Sequence, residues 1–249
     1  MTLERFVPGP SSKRLLIPGA GREYRALPPQ LIQTAKSGNS VDTSANFPVA
    51  VTVGDLLIAV ASRRSSSGLA AAIAPSDGET WTTLRTEQSP PKEGAAECGL
   101  AAWAAIASST AAARTWSGGG TSPQVNRTMW QVRYSSLVGI TTLGLSDQGA
   151  SPAHDLGSLG VLLSYRLAFI IIADNADVQV QTVTPGVWTR SKYSNRDQDS
   201  DVTGLGNTLT DGGYPYAWTG WTQGAGIAVE ARLDVSSSKG FGGIAVLLA

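Results

Sequence analysis

The chain has one cysteine, Cys98, and one histidine, His154, among its 249 residues. An intrachain disulfide framework is therefore excluded, and so is a zinc site built from cysteines or from a histidine pair. Cys98 lies in an Ala-rich apolar context and is read as a buried, inert thiol. Charge is scarce too. Charged residues make up 15% of the chain, against roughly 25% in an average soluble domain. Lys plus Arg equal Asp plus Glu at 19 each, so the net charge is zero. A general nucleic-acid binder needs a basic surface for phosphate contacts, so that class is set aside. Long apolar runs are also missing. The longest, Leu167 to Ala173, is far too short to span a bilayer, and the residues after Met1 contain no apolar signal segment. The expectation is a chain made and folded in a cytosol, with no membrane insertion.

Catalytic patterns are equally thin. His154 sits in a polar stretch from Gln148 to Asp155 and is read as a loop residue. No Gly-x-Ser-x-Gly elbow exposes a nucleophile for it to activate. Gly118–Gly119–Gly120 lacks the Lys-Ser/Thr that a phosphate loop requires and is read as a turn. The chain is accordingly expected to be non-enzymatic.

What the sequence does contain is a folded, neutral, small-residue chain. Seven tryptophans and a 42% hydrophobic share supply a core. Residues 1–45 stand apart. They hold Pro8, Pro10, Pro18, Pro28 and Pro29, and from Met1 to Arg25 five basic side chains against two acidic ones, a net of +3. This part reads as an extended anchoring arm. Its partner-binding candidates are Lys13, Arg14, Leu15, Leu16, Ile17, Arg22 and Arg25, because the apolar trio would be wasted in a free tail.

From residue 46 the pattern turns to short β-branched or aromatic runs punctuated by Gly, Pro, Ser and Asp. That predicts an all-β fold, a jelly-roll-like β-sandwich. Leu69–Ala74 and Ser108–Ala113 have helical composition but are too short to be stable alone. The chain also echoes itself. Leu56–Ala61 is followed by Pro75, a glycine and Trp81–Thr82; about 110 residues later Leu167–Ala173 is followed by Pro185, a glycine and Trp188–Thr189. This predicts an internal pseudo-duplication, with halves at about 46–145 and 159–249 facing one another across a core.

Two clusters are candidate binding sites. Asp197, Asp199 and Asp201 alternate in a loop, and alternate carboxylates can converge on calcium, the one cofactor considered. The EF-hand positions are not filled, and Arg190, Lys192 and Arg196 offer neutralisation instead. Tyr214, Tyr216 and Trp221 lie among glycines, where aromatic rings stack on sugars or else pack inward; Trp218 and Trp221 fall on opposite faces of a strand.

The order of Val53–Gly54–Asp55–Leu56–Leu57–Ile58, then Gly78–Glu79–Thr80–Trp81–Thr82, then Leu100–Ala101–Ala102–Trp103 and Arg114–Thr115–Trp116–Ser117 resembles a class of tailed-bacteriophage and prophage virion proteins. The resemblance covers roughly residues 48 to 249. It departs from the class where Glu79 and Thr80 separate Gly78 from Trp81. It implies a β-sandwich of the minor-tail, fibre or capsid-surface type, located in the virion, without catalytic residues. It further implies partners among other tail or capsid proteins, a homo-oligomer such as a trimer, and contact with a host-surface glycan. Capsid decoration or head-spike protein and carbohydrate-binding module are the alternatives.

Overall fold

The computed structural model describes residues 27–37, 43–65, 74–88, 97–117, 125–133, 137–146, 154–161, 163, 165–174, 179–180, 182–184, 189–194, 208–209, 216–224, 228–234 and 241–249. Among them every regular element is a strand. In chain order these are β1 (Gln30–Lys36), β2 (Ser44–Asn46), β3 (Leu56–Ser65), β4 (Thr82–Gln88), β5 (Glu97–Ile106), β6 (Ala113–Thr115), β7 (Val125–Arg133), β8 (Leu137–Ser146) and β9 (His154–Val161). The remainder are β10 (Leu167–Asp174), β11 (Gln179–Val180), β12 (Thr182–Thr184), β13 (Thr189–Ser194), β14 (Thr208–Leu209), β15 (Tyr216–Gln223), β16 (Ala228–Asp234) and β17 (Phe241–Leu248).

Two five-stranded antiparallel sheets dominate, ordered β1-β7-β3-β5-β4 and β13-β15-β10-β17-β8. Alternation along the central strands decides which face goes where. Leu56, Ile58 and Val60 of β3 meet Leu167, Phe169 and Ile171 of β10, with Trp130, Val132, Ile244, Val246 and Leu248 alongside. This is the core between the sheets. The opposite face of β3 carries Leu57, Ala59 and Ala61, packed with Trp103, Met129, Phe47 and Trp116 beneath the β2–β6 pair. Sheet one is therefore buried on both sides, which explains why β3 and β5 read as almost continuous apolar runs. Alanines on its outer face let the thin β2–β6 layer approach closely.

The two sheets share one connectivity. Read from opposite edges, β1-β7-β3-β5-β4 and β8-β17-β10-β15-β13 are the same order in chain sequence. Registers agree as well. Leu56 opens β3 opposite Ile106 and Val132, and Leu167 opens β10 opposite Gln223 and Leu248. Bulges fall at matching places: after Leu31 in β1 and Leu137 in β8, and after Thr83 in β4 and Arg190 in β13. The β4 and β13 bulges lie a fixed distance from Trp81 and Trp188, so the paired Trp-Thr signals mark equivalent strands.

Across the core, β1 lies against β13 and β4 against β8. Trp130, opposite Ile58, stacks on Phe169 with ring centroids 4.8 Å apart. Thr128, opposite Val60, shares a 2.9 Å hydroxyl hydrogen bond with Thr219, opposite Ile171. These contacts match residues at equal depth in the two halves. β3 and β10 thus run in the same direction and begin at the same end of the sandwich, as a twofold axis parallel to them would arrange.

The strand pairing shifts three boundaries read from sequence. β1 and β2 belong to the body, with Ala35 and Ala45 buried, although both begin before residue 46. Proline density upstream masks their short alternation. β8 pairs with β17, so the second sheet begins at Leu137, ahead of the expected 159. His154 starts β9, which pairs with β16, where a loop was expected; the glycines at 157 and 160 hide that strand. Ser108–Ala113 forms no helix; the amides of Val51 and Phe47 bond to the carbonyls of Thr110 and Ala112 along it. Residues 69–73 of the other helical candidate lie outside the described residues.

A candidate functional site at one end of the sandwich

Among the described residues, the end where β3 and β10 begin holds two buried polar networks. Thr52–Asp55 makes a tight turn into β3, closed by the Asp55 amide on the Thr52 carbonyl at 3.2 Å. Gly54 holds φ +92, the left-handed region that a type II turn needs at its third residue. The turn is tied to the end of β5: the Gly54 amide donates to the Ala107 carbonyl at 2.8 Å, and the Ala107 amide to the Asp55 carbonyl at 2.9 Å.

Asp55 is buried and polar, so it needs partners. Gln131 Nε2 donates to its Oδ2, and Arg133 reaches the same carboxylate from β7 at 3.1 Å. Arg133 also donates to Thr52 Oγ1 at 2.7 Å. Gln33 of β1 continues the chain of bonds, donating to Gln131 Oε1 and to the Val49 carbonyl, and accepting from the Val49 amide. One network therefore fixes the turn, the edge strand and the 49–51 segment. A concavity of about 760 Å³ opens beside it, lined by residues 52–56 with Val132 and Arg133.

A second polar cluster braces the neighbouring loop. Gly78, at φ +88, turns the chain so that Asp77 and Glu79 both face Arg114 of β6. Arg114 Nη1 lies 2.9 Å from Glu79 and 3.1 Å from Asp77, with the three side chains 0, 1 and 3% exposed respectively. Glu79 also accepts from the amides and hydroxyls of Ser108 and Ser109, and Asp77 accepts from the Trp81 indole at 2.6 Å. Burial alone would raise the Glu79 carboxyl above its ordinary 4.5. The hydrogen bonds from Ser108, Arg114 and Ser109 outweigh it and hold the group at about 2.

The second half offers the matching turn. The Arg166 amide bonds the Leu163 carbonyl at 2.9 Å, and the Gly224 amide bonds the Arg166 carbonyl at 2.7 Å. Leu163 and Tyr165 stand exposed there, with the Arg166 guanidinium 5.9 Å from the Tyr165 ring centre. The exposed large hydrophobics among the described residues are Leu27, Ile32, Val49, Val53, Ile106, Leu163 and Tyr165. All seven belong to this end. Val53 and Ile106 flank the first turn, Leu163 and Tyr165 form the second, Val49 lies beside Gln33, and Leu27 and Ile32 sit where β1 pairs with the end of β7. The chain enters the body through the same end.

Of the residues singled out from sequence, Lys13, Arg14, Leu15, Leu16, Ile17, Arg22 and Arg25 lie outside the described residues, as do Asp197, Asp199, Asp201 and Tyr214. Tyr216 begins β15. Trp221 is half-buried and packs against the core between the sheets, the inward alternative for this ring. Among the described residues no group of His, Cys, Asp or Glu could hold a metal ion, and no helix is long and apolar enough to cross a membrane. Sequence reasoning missed the Arg114 cluster. Its available signal was a lone arginine in an alanine-rich, charge-poor stretch two residues before a tryptophan. Compared with models of protein families, with curated proteins and with solved structures, the chain matches none of them.

Proposed function

We propose that the protein is a non-enzymatic structural subunit of a tailed-phage virion, tail-associated as a minor tail or fibre protein, and anchored through its N-terminal segment. The observation that carries this reading is that the chain enters the body at the end where the exposed large apolar side chains of the described residues lie. An anchoring subunit needs those two features together: a segment to reach a partner and a face to seat against it. The buried charges fit a structural role. Glu79, ionised down to about pH 2 and enclosed by its donors, is poorly matched to proton transfer near neutrality. The neutral, small-residue composition suits close packing among many copies.

Cryo-electron microscopy of the particle carrying the protein tests the reading. The expected result is density for the sandwich on a tail tube, fibre or baseplate, with the Val53 and Ile106 end turned toward its support. Density around a capsid symmetry axis would reassign the protein to head decoration. Absence from purified particles would end the virion reading.

A further inference from the structure

We infer that the concavity beside Val53 and Arg133 seats an acidic segment of the protein that supports this one, with a carboxylate of that segment on the Arg133 guanidinium. The occupant's place in a virion rests on the reading above; its chemistry rests on the charges of this end alone.

At this end the acids are inside and a cation faces out. The described side-chain carboxylates here are Asp55, Asp77 and Glu79, which are 8, 3 and 1% exposed and enclosed by their own donors. The Arg133 side chain is 33% exposed. Residues 134–136, 162, 164, 185–188 and 225–227 complete the connections at this end, and their sequence holds no Asp or Glu. An approaching partner therefore meets the guanidinium of the Asp55–Arg133 pair before the carboxylate behind it. Arg166, half-buried ahead of β10, adds a second cation to the same end. Residues 1–25 carry +3 (5 − 2) and lead into β1, whose first residue, Gln30, pairs with Arg133. Each of these charges favours an anionic partner.

The concavity suits a peptide segment in size and stiffness. Its volume of about 760 Å³ holds a few side chains. Val53, 55% exposed, gives the occupant an apolar wall beside the cation. Arg133 is held through Nε and Nη2 by Asp55, and through Nη2 by Thr52, so the guanidinium plane is set before a partner arrives. A fixed planar fork matches a carboxylate and loses little freedom on binding. Asp55 offsets part of the charge, so one contact is weak by itself and gains strength when the basic segment engages the same partner.

Magnetic resonance of the full isotope-labelled chain, titrated with capped tetraglutamate, tests the site. The amides of 52–56 and 132–133 should shift saturably, with a dissociation constant on the order of 1 mM. Val53→Lys should tighten this roughly 5-fold and Val53→Asp weaken it roughly 5-fold, because each places a charge at the mouth without altering the bonds of Asp55. Arg133→Gln should weaken it about 10-fold. Should that variant misfold, the Val53 pair decides. No saturable shift by about 20 mM, equal shifts with capped tetralysine, or indifference to both Val53 substitutions would overturn the inference. Inorganic phosphate bound more tightly than tetraglutamate at the same amides would overturn the acidic segment in favour of a phosphate group. In the particle, a support that meets Arg133 without an Asp or Glu would overturn the seat and leave the tail assignment standing. Absence from particles, with the tetraglutamate response as expected, would end the virion reading and support the acidic site.

Discussion

Arg114→Met is the most informative single substitution. It removes the cation between two carboxylates whose side chains are 1 and 3% exposed, while keeping most of the side-chain volume. Breaking a buried pair from one side leaves uncompensated charge and costs about 3–5 kcal/mol. The pH dependence carries a second signature. In the native chain Glu79 titrates at about 2 against an ordinary 4.5, a gap equivalent to ~3 kcal/mol. Because the folded value is the lower one, that stabilisation is fully present above about pH 4.5 and is lost as pH falls toward 2. Without Arg114 the folded value moves back up, so the acid-side loss becomes smaller. Urea unfolding at pH 7, repeated down to pH 3, measures both effects. The triple variant Arg114→Met, Asp77→Asn, Glu79→Gln removes every charge of the cluster and should recover more than half of the loss. A single variant within about 0.5 kcal/mol of the native chain, with an unchanged acid profile, would refute the account of this cluster as a buried brace.

Thr128→Val strands the Thr219 hydroxyl inside the core between the sheets and should cost about 1–2 kcal/mol in the same assay, whereas Thr128→Val with Thr219→Val should cost markedly less than twice that. Gly54→Ala meets no atom within 4 Å, so its penalty is purely that of a left-handed backbone, roughly 1 kcal/mol; a loss above about 3 kcal/mol would mean that the turn has a further constraint.

The fold was legible because its two strongest signals are local. Apolar runs at Leu56–Ala61 and Leu167–Ala173 identify the two central strands, and the Trp81 and Trp188 signals fall just before equivalent edge strands, β4 and β13. Strands with weaker local preference were hidden. β9 contains Gly157 and Gly160, and β1 follows a proline pair, so neither declares itself without the partner that supplies its hydrogen bonds. The site was illegible for a different reason. Arg114 and Glu79 lie 35 residues apart, and Asp55 and Arg133 lie 78 apart. Only the strand register brings them together. Nor does a valine or isoleucine declare in sequence that it is exposed: Ile106 continues the pattern of β5, yet it is 59% exposed because the strand ends there.

The two halves share a frame and differ in how each secures its turn, and that difference has a measurable consequence. At equivalent positions stand Asp55 and Arg166, each one residue before its central strand and each followed by a buried leucine. Asp55 is buried and answers Gln131 and Arg133 on the adjacent β7. In the second half the position corresponding to Arg133 is Ala249, which has no guanidinium to offer, and Arg166 lies half-buried near Tyr165. Asp55→Ala leaves the Gln131 amide without its acceptor and loosens the Gln33–Val49 connection behind it, for an expected cost of about 2–3 kcal/mol. Arg166→Ala removes a partly solvated side chain and one ring contact, for about 1 kcal/mol or less. Equal costs in urea unfolding would mean that the polar network adds nothing beyond the turn itself. Unequal costs in this order would place the stability of this end in the first half, leaving Leu163 and Tyr165 in the second as the part of the patch freest to adapt to a partner.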